Sequence, residues 1–187
     1  LDQQSGANVY DVSAPWYVSL GDLAADGSIQ PLTEFVEGSP DLDVDDFIPS
    51  IWQPYAHVGE EIYGVPFDGD IHALFYNTEI LERNGFDAPP ATWDEYAEQV
   101  QTITENEGDE GVYGAAVFGE QSPLILGASF ANRLAGFGGE FLDDSGAPAI
   151  NSAEAVSALE ALEETWDDAL PTPAETDFGA GNSAWFA

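Results

Sequence analysis

The 187 residues carry 36 aspartates and glutamates against two basic side chains, Arg83 and Arg133, for a formal net charge of -34 at neutral pH. At 44% hydrophobic and 12% aromatic, the chain is too apolar for a solvated acidic tail, so it folds against its own repulsion. Nucleic acid and anionic membranes are excluded as partners because they need clustered Lys and Arg, and the absence of cysteine excludes disulfides, thiolate chemistry and Cys-ligated zinc.

Taken in chain order, "ANVYDVSAPW" predicts a short strand at 9–12 followed by a loop. "VSLGDLAADGSIQPL" predicts a short helix stopped by Gly27, with Leu20, Leu23 and Ala24 inward. Phe47, Ile48, Ile51, Trp52 and Tyr55 stand near helical spacing. "IYGVPF" and "IHALFYN" read as two extended pieces joined by Asp68-Gly69-Asp70, and the apolar run 73–76 suits a strand covered on both faces.

A helix over 78–84 should stop at Gly85. Thr92 and Glu95 form a capping box for the next helix, with Trp93, Tyr96, Val100, Ile103 and Thr104 on its buried face. "GVYGAAVFG" predicts a buried strand, 122–135 a helix ending in glycines, and "GEFLDDSGAPAIN" a hairpin-like turn at Gly146. The clearest helix begins at "NSAEAV", with Asn151 and Glu154 as capping pair and Val156, Leu159, Leu162 and Trp166 on one face. The last stretch reads as a Pro and Gly linker that turns apolar at Trp185 and Phe186. The alternation of strands and helices predicts an α/β chain.

Several chemistries fail on inspection. "DLDVDDF" starts like a calcium-binding EF-hand loop, but Asp46 stands where glycine is required and Trp52 where glutamate is required. His57 and His72 have no partner at metal-ligand spacing, and no phosphate loop, HExxH motif or nucleophile elbow occurs. Neither a metal nor a cofactor is expected. Paired carboxylates such as Asp68 and Asp70 also occur in glycosidases, but with 36 acids some pair meets that spacing by accident. The acids are spread along the whole chain. That favours adaptation to high salt over a specific cation site, because at molar ionic strength the screening length falls to about 3 Å.

One ordered set of stretches is more specific than any single motif. "YDVSAPWYVSLGDLAADGSIQPL", "DLDVDDFIPSIW", "YGVPFDGDIHALFYNTEILERNGFDAPPATWDEYAEQV", "VYGAAVF" and "FGGEFLDDSGAPAINSAEAVSALEAL" together resemble the extracellular solute-binding proteins of ABC sugar importers, the branch like maltose-binding protein. The resemblance implies an α/β, periplasmic-binding-protein-like two-lobe fold, with a three-layer α/β C-lobe and an incomplete N-lobe. The implied divisions are a partial N-lobe at 1–70, a C-lobe at 71–175 and a crossing back at 176–187, as in an internal fragment of a longer protein.

It also implies a non-enzymatic receptor outside the membrane that captures a small solute, a carbohydrate first and a polyol second, and hands it to ABC permease subunits. Any leader or lipid anchor would lie outside this chain, since "LDQQSGANVYDV" has no basic region or apolar core. Within that frame, Asp68 and Asp70 accept hydrogen bonds from ligand hydroxyls, and Gly69 gives the crossing its backbone freedom. Trp16, Tyr76 and Trp185 offer rings to the apolar face of a sugar, and Gly138 lies in a loop near the cleft. The competing expectations make Asp68 and Asp70 turn residues, Tyr76 a core residue and Gly138 a helix stop.

Overall fold

The computed structural model describes residues 9–187. The chain divides into two compact units, the first running through Ile71 and the second His72–Ala187.

Unit 1 is built from α1 (Leu20–Ala25), α2 (Thr33–Glu37), α3 (Pro49–Ala56) and a hairpin of β1 (His57–Val58) and β2 (Glu61–Ile62). The hairpin is antiparallel, with His57 opposite Ile62, and turns at Gly59, whose φ of 63° favours glycine. Val36, Trp52, Ala56 and Ile62 form its core, covered by Leu32, Leu42 and Phe47. Thr33 ties α2 to β2: its hydroxyl accepts from the Ile62 N–H at 3.0 Å and donates to Glu61 Oε2 at 2.5 Å.

Unit 2 holds α4 (Thr78–Arg83), α5 (Trp93–Glu107), α6 (Ile125–Gly136), α7 (Ala153–Glu164) and α8 (Phe178–Trp185). Asn77 caps α4, accepting from the Glu79 and Ile80 N–H groups. Thr92 caps α5 by accepting from the Glu95 N–H, while the Glu95 carboxylate reaches back to the N–H of Ala91. Two core clusters follow. Leu134, Ala155 and Ala158 pack under Phe130 and Phe137, and Val117, Leu162 and Ala169 under Leu126 and Trp166.

α7 departs from expectation in two ways. Its cap is Ser152, whose Oγ accepts from the Ala155 N–H at 3.1 Å, so Asn151 stands outside the helix. Its buried face is Ala155, Ala158 and Leu162, while Val156 is 48% and Leu159 56% exposed. The smallest side chains face α6, so the two helices can pack closely. Ser152→Ala should therefore cost about 1 kcal/mol and Asn151→Ala almost nothing, compared by chemical denaturation.

The expected strands are corrected in a consistent way. Among the described residues the only sheet is β1–β2, with one isolated bridge, Leu142 to Pro148, at the Gly146 turn. Neither 9–12 nor 73–76 forms a strand, and Val12 and Phe75 are largely exposed rather than buried. In the 112–118 segment the polar backbone is taken up elsewhere. The Val112 N–H goes to Glu107 O, that of Gly114 to Thr104 Oγ1, and Ala115 O accepts from Leu170 N–H. An apolar run fixes an extended shape, but a ladder needs a neighbour.

The final stretch, expected as a linker, forms α8. Asp177 caps it by accepting from the Ala180 N–H at 2.7 Å. Its glycines serve close packing: a Cβ on Gly181 would stand 2.4 Å from Phe118 Cε1.

Candidate functional site

The expected ligand residues fall into two places, one in each unit. In unit 1, Trp16 precedes a 3-10 turn at Tyr17–Ser19. Its ring meets Tyr17 edge-on at 5.9 Å, and Tyr17 lies flat on Tyr55, 4.4 Å away and 5° from parallel. The Tyr55 hydroxyl accepts from the backbone N–H of Asp70 at 3.4 Å. Burial, helped by the nearby Tyr55 and the Asp70 carboxylate, pushes the Tyr17 phenol above its ordinary value.

Asp68 turns back to accept from the Gly69 N–H at 2.8 Å. Gly69 has no left-handed φ, so freedom is not what it supplies here. It supplies room, because a Cβ would stand 2.7 Å from Ile51 Cδ1. The result is a half-exposed indole, two stacked phenols and two aspartates on one unit. Rings present an apolar platform, and carboxylates accept hydroxyl donors. Tyr17 and Tyr55 were not anticipated. Tyr17 is signalled only by its place beside Trp16, and Tyr55 only by falling one helical turn beyond Ile51 in α3.

In unit 2, Tyr76 and Trp185 come together. They line an open depression with Leu74, Phe75, Tyr113 and Gln99 among others. Tyr76 is partly exposed rather than a core residue. The Oε1 atom of Gln99 is buried there without a donor, while its amide nitrogen donates to Ala88 O. Gly138 lines neither place. With φ at 75° it forms the left-handed turn that ends α6, its N–H donating to Ala135 O and that of Gly139 to Leu134 O.

Both cations are committed to helix α5. Arg83 makes a two-pronged ion pair with Glu107 at the last turn, Nε to Oε1 at 2.7 Å and Nη2 to Oε2. Arg133 is 5% exposed and lies over the Trp93 ring at 4.7 Å and near Tyr96 at 6.0 Å, at the first turn. Burial pushes its guanidinium pKa down. Neither guanidinium is free to receive an anionic ligand. Among the described residues no group of His, Asp and Glu is placed to hold a metal ion.

A profile of bacterial extracellular solute-binding proteins matches residues 1–184. A probable amino-acid ABC transporter periplasmic-binding protein of Sinorhizobium fredii is 30% identical over 99% of this chain and 41% of its own length. A solute-binding protein from Agrobacterium radiobacter K84, solved with ribitol, superposes with a TM-score of 0.81 at 23% identity, over 98% of this chain and 46% of that one. A maltose-bound binding protein of T. maritima superposes with a TM-score of 0.58 at 27% identity, over 82% of this chain and 36% of that one. These likenesses establish a periplasmic-binding-protein-like fold. The chain spans a little under half the length of the relatives it matches.

Proposed function

This chain belongs to the bacterial extracellular solute-binding proteins, and from that membership we propose that it is part of a receptor for a neutral polyhydroxylated solute, a carbohydrate or polyol, delivered unchanged to an ABC import permease. Residues to about 70 belong to one lobe, 71–175 to the other, and 176–187 to the return crossing. Asp68-Gly69-Asp70 adjoins the first crossing, about which the lobes close when a ligand touches both. No described helix is long and apolar enough to cross a membrane, and the family places the receptor outside it.

The observation that carries the choice of solute is the Trp16–Tyr17–Tyr55–Asp70 array. Relatives bear names that point to amino acids, ribitol and maltose. An amino acid brings a carboxylate, and both arginines here are already engaged. A polyol or sugar asks for what the array offers, acceptors for hydroxyls and rings for C–H faces. Trp16 supplies the platform and Asp68 and Asp70 the acceptors, with Tyr76 and Trp185 as further rings on unit 2.

Thermal shift in molar KCl with ribitol, mannitol, maltose and glutamate tests this. A bound solute at one hundred times its Kd adds about 2.7 kcal/mol, so at least one polyol or sugar should raise Tm while glutamate does not. Trp16→Ala should weaken that binding about tenfold or more with Tm of the free protein nearly unchanged. A shift from glutamate alone overturns the solute class.

A further inference from the structure

The residue that stops α4 also leaves a reactive bond. Asn84 is the one asparagine of the chain followed by glycine. Gly85 is needed there because the stop takes a left-handed φ of 86°. Its N–H donates to Glu82 O at 3.1 Å and that of Phe86 to Leu81 O at 3.0 Å, the paired bonds of a Schellman stop. The missing side chain leaves the Gly85 nitrogen unshielded beside the Asn84 amide, since a Cβ there would meet nothing within 4 Å.

Such a nitrogen can attack Cγ of Asn84. A five-membered imide forms, the amide nitrogen leaves as ammonia with the Gly85 proton, and water opens the ring. The balance is asparagine plus water to aspartate plus ammonia. Opening at the original main-chain carbonyl gives isoaspartate and routes the backbone through the side chain. The folded chain blocks each step. At Asn84 ψ is 5°, so the Gly85 nitrogen lies over the residue's own nitrogen rather than its Cβ. The amide is pinned at both ends. Its Nδ2 donates to Ile80 O at 2.9 Å and to Glu107 Oε1 at 2.6 Å, and its Oδ1 accepts from Asn106 Nδ2 at 2.9 Å. Glu107 is in turn gripped by Arg83. These bonds tie the end of α4 to the last turn of α5.

We propose that Asn84–Gly85 is a latent deamidation site, silent while α4 is docked on α5, and that its conversion is a one-way switch that loosens the two helices. Aspartate at 84 places an acceptor where a donor met Ile80 O and the Glu107 carboxylate. Hydrogen bonds from Arg83 hold that carboxyl below its ordinary range, so it is charged at neutral pH, and two carboxylates in contact repel. The reaction draws only on water and is independent of any bound solute.

Peptide mapping of the full chain, aged in molar KCl at mildly alkaline pH, reads the conversion as the mass gain when the amide becomes an acid. Enzymatic methylation reads isoaspartate. Deamidation at Asn84 should run about a hundredfold slower than in a free peptide of residues 80–88. Glu107→Ala should speed it about tenfold, the weight of one charged hydrogen bond. Asn84→Asp should lower Tm by about 2–4 °C, and in a Glu107→Gln background the same change should cost almost nothing. Conversion as fast in the folded chain as in the peptide overturns the proposal, as does an unchanged rate in Glu107→Ala. An Asn84→Asp protein that keeps the parent Tm overturns the switch.

Discussion

Transfer from about 2 M to about 20 mM KCl lowers the melting temperature by about 10–20 °C, the equivalent of several kcal/mol for a chain of this size. The cause is the imbalance of 36 acids and two bases. The structure shows how little of it is neutralised internally: among the described residues there is a single ion pair, Arg83 with Glu107. The remaining carboxylates repel through solvent, and the range of that repulsion grows from about 3 Å at molar salt to about 30 Å at 10 mM. The unfolded chain spreads the same charge over a larger volume, so dilution penalises the folded state more. Potassium and sodium chloride at equal ionic strength should act alike, because no described cluster is built to hold one cation. A melting temperature that is flat across this range, or recovery with micromolar calcium alone, would rule out adaptation to high salt.

The second large effect separates the two arginines. Arg133→Ala should cost about 2–4 kcal/mol, read as a fall in Tm of about 5–15 °C. The substitution removes a buried side chain from the face of Trp93 and opens a void between α5 and α6. The loss should be the same at low and high salt, because a contact shielded from solvent is shielded from ions. Arg83→Gln should behave differently. Its side chain is about half-exposed, so its small effect should shrink towards nothing in molar KCl. Stability of both variants measured at two salt concentrations decides the point, and equal salt dependence for the two contradicts the assignment.

Helices were legible wherever a local signal fixed them. Thr92 caps where expected, and Gly85 ends its helix with the left-handed angle that favours glycine. Such contacts span a few residues and leave a mark in the sequence. Ser152 was passed over for Asn151 because both are good caps standing side by side, and the choice rests on which side chain reaches the Ala155 N–H. The α7 face was misplaced because periodicity favours large residues, whereas close packing on α6 selected Ala155 and Ala158.

The strands failed for a different reason. "IHALFYN" declares an extended, apolar segment but not what lies beside it, and pairing partners far away in sequence leave no local trace. The candidate site was half legible. Trp16, Asp68 and Asp70 were named from the chain, but the Tyr17–Tyr55 stack that links them joins residues 38 apart and exists only once α3 has folded.

The placement of the two arginines has a consequence for anyone handling the protein. Trypsin cuts only after basic residues, so this chain offers it two bonds. One follows Arg83, where the side chain is accessible, and the other follows Arg133, sealed beneath an indole. Digestion after Arg133 therefore requires α5 and α6 to part, and the rate at which that peptide appears in a mass spectrum is a clock for their separation.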